Sequence, residues 1–117
     1  MELTKIAEEI FSLTQELGRA KLSIKERAVE KANTRANYDK ALAISMLRLK
    51  NGQVQDYEGN EVGKVAVTLI ESVAKGMCWR ERLEMDKAEG LYKSAISYVE
   101  VTTTQIQGFQ SIYKHLD

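Results

Sequence analysis

Two side chains in this sequence have the chemistry of a nucleophile and a base: Cys78 and His115, its one cysteine and one histidine. A thiolate–imidazole pair works only when the two groups lie within hydrogen-bond reach. No proline interrupts the chain between them, and along a continuous helix they would stand at least about 50 Å apart at 1.5 Å per residue. His115 also falls in the last turn of the chain given, where helices fray and nothing holds a base in place. Cys78, next to Trp79, reads as a small core or interface residue.

The carboxylates offer no stronger constellation. Glu81, Glu84, Asp86 and Glu89 interleave with Arg80, Arg82 and Lys87, a mixed run whose ordinary use is structural pairing along a helix. Arg80 and Lys87 fall on or beside an apolar seam, where they could set register against Glu30, as polar seam residues do in coiled coils. A carboxylate-bridged di-iron site needs Glu-x-x-His on two helices, which one histidine cannot supply. There is no Cys-x-x-Cys pair for zinc and no glycine-rich loop ending in Lys-Ser/Thr for phosphate. Asp56, Glu58, Asn60 and Glu61 are acidic or amide side chains without the spacing of a calcium loop. The reading is no enzyme, no metal and no cofactor.

Positive charge is the one remaining chemical feature. Residues 19–50 hold nine basic and three acidic side chains, and Arg27, Lys31 and Arg35 recur at four-residue steps, which places them along one helix face. Such a face is ordinarily solvated and balanced by acids on a neighbouring helix. The sharper alternative is a shallow stripe contacting phosphates. It lacks the interleaved aromatics that stack on single-stranded bases, so nucleic-acid binding stands second.

The elements that carry these residues are helices. Apolar or small residues follow one face from Leu3 through Ile6, Ile10, Leu13, Leu17, Ala20 and Ile24 to Ala28 and Ala32, then Arg35, Tyr38, Leu42, Ser45 and Leu49. That spacing predicts a helix over 3–50, with Thr4 as its N-cap. Asn51-Gly52 is a C-terminal stop. A connector over 51–63 follows, in which Val54, Tyr57 and Val62 could form a small β-like tip and Asn60 could cap the next helix. The spacing predicts a second helix over 64–116, with a seam at Ala88, Leu91, Ala95, Tyr98, Thr102, Ile106, Phe109, Tyr113 and Leu116. Gly76, Gly90 and Gly108 mark either kinks or contacts in this helix: a hairpin centred near Tyr57, with facing residues summing to about 114, would set Gly76 opposite Tyr38 and Gly90 opposite Ile24, a packing reason for glycine in a helix.

Composition agrees with this reading. The chain has no proline, 44% hydrophobic and 29% charged residues, which suits a mostly helical domain spanning 1–117. Its formal net charge is zero, unlike that of a dedicated DNA-coating protein. A lone cysteine suits a reducing cytoplasm. The start lacks a basic segment followed by an apolar run, so no signal peptide is expected. No apolar stretch approaches the ~18 residues of a membrane span.

The run Tyr38-x-x-Ala41-x-Ala43-x-x-x-Leu47-x-Leu49-Lys50, then Cys78-x-x-x-Arg82-Leu83, Ala88-Glu89-x-x-Tyr92-Lys93 and Phe109-Gln110-Ser111-Ile112 resembles short helical-hairpin proteins of phages and prophages of Gram-positive bacteria. Their genes often lie near recombination and single-strand-binding functions. The resemblance implies a hairpin and a host-cytoplasmic setting, and carries over no functional residue. Tyr113-x-x-x-Asp117 also resembles the signal of type VII-secreted helical hairpins. Their Trp-x-Gly turn is missing, since Trp79 is followed by Arg80-Glu81, and that resemblance is set aside.

The expectation is therefore an all-α, antiparallel two-helix hairpin. Adjacent apolar pairs such as Ile10–Phe11, Leu69–Ile70 and Ile112–Tyr113 cannot all face one seam. Phe11, Leu69, Ile70, Ile112 and Tyr113 are then candidates for an oligomer interface that makes a homodimeric four-helix bundle or coiled coil. The expected function is non-enzymatic protein binding, as an accessory factor of phage DNA replication or recombination. Direct nucleic-acid binding or a structural place in the virion are the alternatives.

Overall fold

The computed structural model describes residues 2–55, 58–61, 63 and 65–116. Among them the chain is all-α: α1 spans Leu3–Lys50, a short 3-10 helix spans Val67–Leu69, α2 spans Ile70–Met77 and α3 spans Trp79–Leu116. The only β feature in this set is an isolated antiparallel bridge between Gln55 and Glu61. Tyr57 and Val62 of the expected tip, Asp56, and Asp117 of the C-terminal signal lie outside the described residues. No helix is long and apolar enough to cross a membrane among those described.

The first helix begins one residue before the expected cap. Ile6 N–H donates to Glu2 O at 3.1 Å, so Thr4 sits inside the first turn. The helix ends as Asn51-Gly52 predicts. Gln53 N–H donates to Arg48 O at 2.9 Å and Gly52 N–H to Leu49 O at 3.2 Å. These are the two bonds of a Schellman ending, with Gly52 at φ 66°, where a Cβ would be strained.

Beyond the connector the chain departs from the expected 64–116 helix. Helical structure starts at Val67, and its N-cap, Ala66, makes no side-chain capping bond, so Asn60 lies too far back to cap it. The helix is then broken at Cys78 (φ −95°, ψ 27°). Cys78 N–H still donates to Ala74 O at 3.1 Å, and Arg82 N–H to Cys78 O at 3.0 Å. The break is thus a one-residue distortion that starts a new helix without leaving these backbone groups unpaired.

Two compact units make up the chain: Met1–Glu30 with Glu89–Asp117, and Lys31–Ala88. In the first, Ile6, Ala20, Thr102 and Ile106 are buried. The α1 seam there runs Ile6, Ile10, Leu13, Leu17, Ala20, Ile24, Arg27, and the α3 seam runs Tyr92, Ala95, Val99, Thr102, Ile106, Phe109. Both alternate four- and three-residue steps strictly, the spacing of a coiled-coil seam. Leu91 and Tyr98, expected in the seam, are 43% and 46% exposed, displaced by their neighbours Tyr92 and Val99. Tyr113 and Leu116 are also exposed.

In the second unit Leu49, Ile70 and Ala74 form the core, with Leu42, Met46, Val54 and Val65 packed against it. Tyr38, Cys78 and Ala88 are buried as well. The α1 seam here takes Lys31, Thr34 and Tyr38, while Ala32 and Arg35 are exposed. The helical glycines are not opposite large side chains: a Cβ at Gly76 or Gly90 would meet nothing within 4 Å.

Leu49 has no exposed surface, so Leu49→Ala is expected to cost about 2–5 kcal/mol and Gly52→Ala about 1 kcal/mol. Gly18, open to solvent inside α1, is expected to gain roughly 0.5–1 kcal/mol when changed to alanine. Urea denaturation of the three variants measures all of these.

Candidate interaction surface

The residues singled out for charge do not form one solvated row. Arg27 lies half-buried in the first unit, its Nη1 3.1 Å from Glu30 Oε2. In the second unit Lys31 is half-buried and Arg35 exposed. The strict seam explains this. After Ile24 the half-buried positions are Arg27 with its neighbour Ala28, then Lys31 and Thr34, while Ala32 and Arg35 are exposed. Two of the three basic residues thus belong to a polar stretch of the seam, with aliphatic stems suited to covering apolar neighbours.

The mixed run on α3 pairs along its own helix. Arg82 Nε lies 3.3 Å from Asp86 Oδ1, Lys87 Nζ 3.7 Å from Glu84 Oε1, and Lys93 Nζ 3.4 Å from Glu89 Oε1. These are exposed pairs of small energetic weight. Arg80 and Lys87 are exposed rather than seam residues, and Glu81 and Met85 are half-buried. The Arg80 guanidinium instead stacks on the Trp79 ring, 5.2 Å from its centroid. Arg82 lies 5.7 Å from the Tyr38 ring centroid. A hydrogen bond with Tyr38, and then the charge of Asp86, hold its pKa above the ordinary arginine value.

Cys78 is buried and faces Ser45, Sγ to Oγ 3.4 Å. His115 lies in the other unit, in the exposed last turn of α3. No group of three or more His, Cys, Asp or Glu able to hold a metal occurs among the described residues. What the structure does present is apolar surface. Leu69, Val73 and Met77 stand at four-residue steps along the 3-10 helix and α2, 54%, 38% and 41% exposed, beside the buried row Ile70, Ala74 and Cys78. Next to Val67, Met46 and Leu47 continue into a groove of about 370 Å³, with Lys50 and Glu71 among its lining residues.

No family model, curated protein or solved structure matches this chain.

Of the five residues expected at an oligomer interface, Phe11, Leu69, Ile112 and Tyr113 are exposed, whereas Ile70 is buried in the chain's own core. The adjacent-pair argument holds for Ile10–Phe11 and Leu69–Ile70, where one member turns inward and the other outward. Sequence reasoning missed the exposed Leu22, Val29, Leu47, Val67, Trp79 and Val101. Strict four-three counting would have found Leu22 and Val101, since neither occupies a seam position.

A polar contact ties α1 to α3 in the first unit. The Tyr98 hydroxyl donates to Glu16 Oε1 at 2.6 Å. This hydrogen bond, partial burial and the carboxylate charge all push the Tyr98 phenol above its ordinary pKa. A raised pKa in the folded state adds stability that is complete below the unfolded value of about 10 and lost as pH rises through the folded value. Titration of tyrosine absorbance should therefore find one of the five tyrosines ionising later than the rest. Glu16→Gln should return it toward the others, and Tyr98→Phe should remove the late step.

Proposed function

We propose that this chain is a non-enzymatic protein-interaction factor, folded as an antiparallel helical hairpin that self-associates and offers a helix face to a protein partner. The observation that carries the reading lies in the Lys31–Ala88 unit. There Ile44, Leu47, Val67, Leu69, Val73, Met77, Trp79 and Leu83 are all exposed. Large apolar side chains left exposed in a row on a helix mark an interaction site. A ridge at four-residue steps beside a groove suits recognition of an amphipathic helix, apolar face to apolar face.

An antiparallel course is supported within that unit. Tyr38 meets Arg82, and Ser45, further along α1, meets Cys78, earlier along the chain. The resemblance to phage and prophage hairpin proteins supplies the setting: an accessory role in DNA replication or recombination in the cytoplasm of a bacterial host. Direct nucleic-acid binding through the basic excess of residues 19–50 is the second reading. Its support is weakened by Arg27, which is held by Glu30. Phosphate contacts would reveal themselves by affinity that falls steeply with salt.

A tagged chain expressed in the bacterium that produces it is expected to capture a protein equally with and without nuclease. Val73→Glu combined with Met77→Glu should lose that protein by at least tenfold while helicity by circular dichroism stays unchanged. Capture that disappears with nuclease and survives the double substitution would overturn the reading in favour of nucleic acid.

A further inference from the structure

From Gly90 to Tyr113 α3 carries two charged side chains, Lys93 and Glu100, in a chain that is 29% charged. The seam side of this segment is covered by α1 residues of the same unit. Away from it Ser97 and Val101, each two positions on from a seam residue, are exposed, and Ser94, exposed as well, lines a groove beside Ala20 and Ser23 of α1. Leu91 and Tyr98 border this face on one edge, 43% and 46% exposed, and Val101 at its centre is 56% exposed. Lys93 and Glu100 border it on the other edge, one heptad apart. A helix face bared to water ordinarily carries charges of both signs. A face depleted of charge and bearing aromatic and aliphatic residues has the composition of an interface core.

The geometry points to a second copy of this chain as the occupant: two α3 helices pack antiparallel about a two-fold axis between Ser94 and Ser97. Charge supports it. An isologous contact must complement itself, and this face does so only when antiparallel. Lys93 then meets Glu100 of the second copy and Glu100 meets its Lys93, on one edge. Leu91 meets Tyr98 of the second copy, twice, on the other. A parallel pairing would set Lys93 and Glu100 beside Tyr98 and Gln105 instead. Lys93 is already 3.4 Å from Glu89 within its own helix, but that exposed pair is weak enough to share or exchange. The small Ser94 and Ser97 at the axis let the two helices approach closely.

This inference rests on the self-association proposed above and names its surface, and sedimentation equilibrium of the full chain separates the two. The wild type is expected at twice the chain mass at 50 µM. Val101→Glu, at a position open to solvent in the single chain, is expected to raise the dimer dissociation constant at least 100-fold with helicity unchanged. Lys93→Glu and Glu100→Lys are each expected to raise it about threefold to tenfold, and the double exchange to return it to within about twofold of wild type. A monomeric wild type would overturn self-association itself. A dimer indifferent to Val101→Glu would overturn this face and leave self-association standing. A double exchange as weak as the single changes would overturn the antiparallel register.

Discussion

A helix can bury only one stripe of its surface against one neighbour, and both long helices of this chain carry more apolar surface than one stripe holds. Much else in the structure follows from that limit. The strict seam residues of α1 and α3 are buried or half-buried, and the apolar residues off the seam are left outside. Phe11, Leu22 and Val29 on α1, and Leu91 and Val101 on α3, are examples. Adding core to such a pair is not possible without adding a third element, so its apolar surplus has to be covered from outside the chain or remain wet. At about 25 cal/mol per Å², even a few hundred Å² of apolar surface covered by another molecule is worth several kcal/mol, comparable with the whole stability of a small domain.

The limit also explains why the middle of the α1 seam is polar. Strict alternation after Ile24 brings Arg27, Lys31 and Thr34 to the core-facing positions. None can be buried fully. Arg27 keeps its charged end on Glu30, and both long side chains stay half-exposed. An apolar seam running unbroken would bury more area, but it would also tolerate slipping by a heptad, since each layer would resemble the next. Polar residues at a few seam positions make slipped registers costly. Tyr98–Glu16 serves the same end at the seam's edge, because a hydrogen bond of 2.6 Å has one register and no near equivalent.

Much of this is legible from residue order. Helical class and the bounds of the first helix follow from apolar spacing and from Asn51-Gly52, because a Schellman ending is a local event decided by a glycine that can adopt φ > 0. The phase of the seam is less legible. Alanine at 32 looks like a seam residue by type, yet Lys31 is half-buried and Ala32 exposed, while one turn earlier Arg27 and Ala28 are both half-buried. Type misleads because alanine is as comfortable exposed as buried, while a long basic side chain can lie along a seam and still reach water. The start of the second helix is illegible for a related reason: Asn60 is a good cap by type, but the helix begins at Val67 with no side-chain cap at all. The break at Cys78 keeps both flanking backbone bonds, and its one mark in residue order is Gly76, two positions before it.

The glycines carry the argument one step further. Gly90 and Gly108 lie inside α3, where each costs roughly 1 kcal/mol relative to alanine. A Cβ at either would meet nothing within 4 Å, so the chain's own packing does not account for them. Neither has a positive φ, so backbone conformation does not account for them either. They share the outward phase of α3 with Ser94, Ser97, Val101 and Thr104, at alternating four- and three-residue steps. Residues without bulk along one phase of a helix have a physical use when another backbone comes close to that side. Among the described residues no backbone comes that close to Gly90 or Gly108, and the open glycines, the scarcity of charge and the exposed Val101 fit the contact with a second copy proposed above.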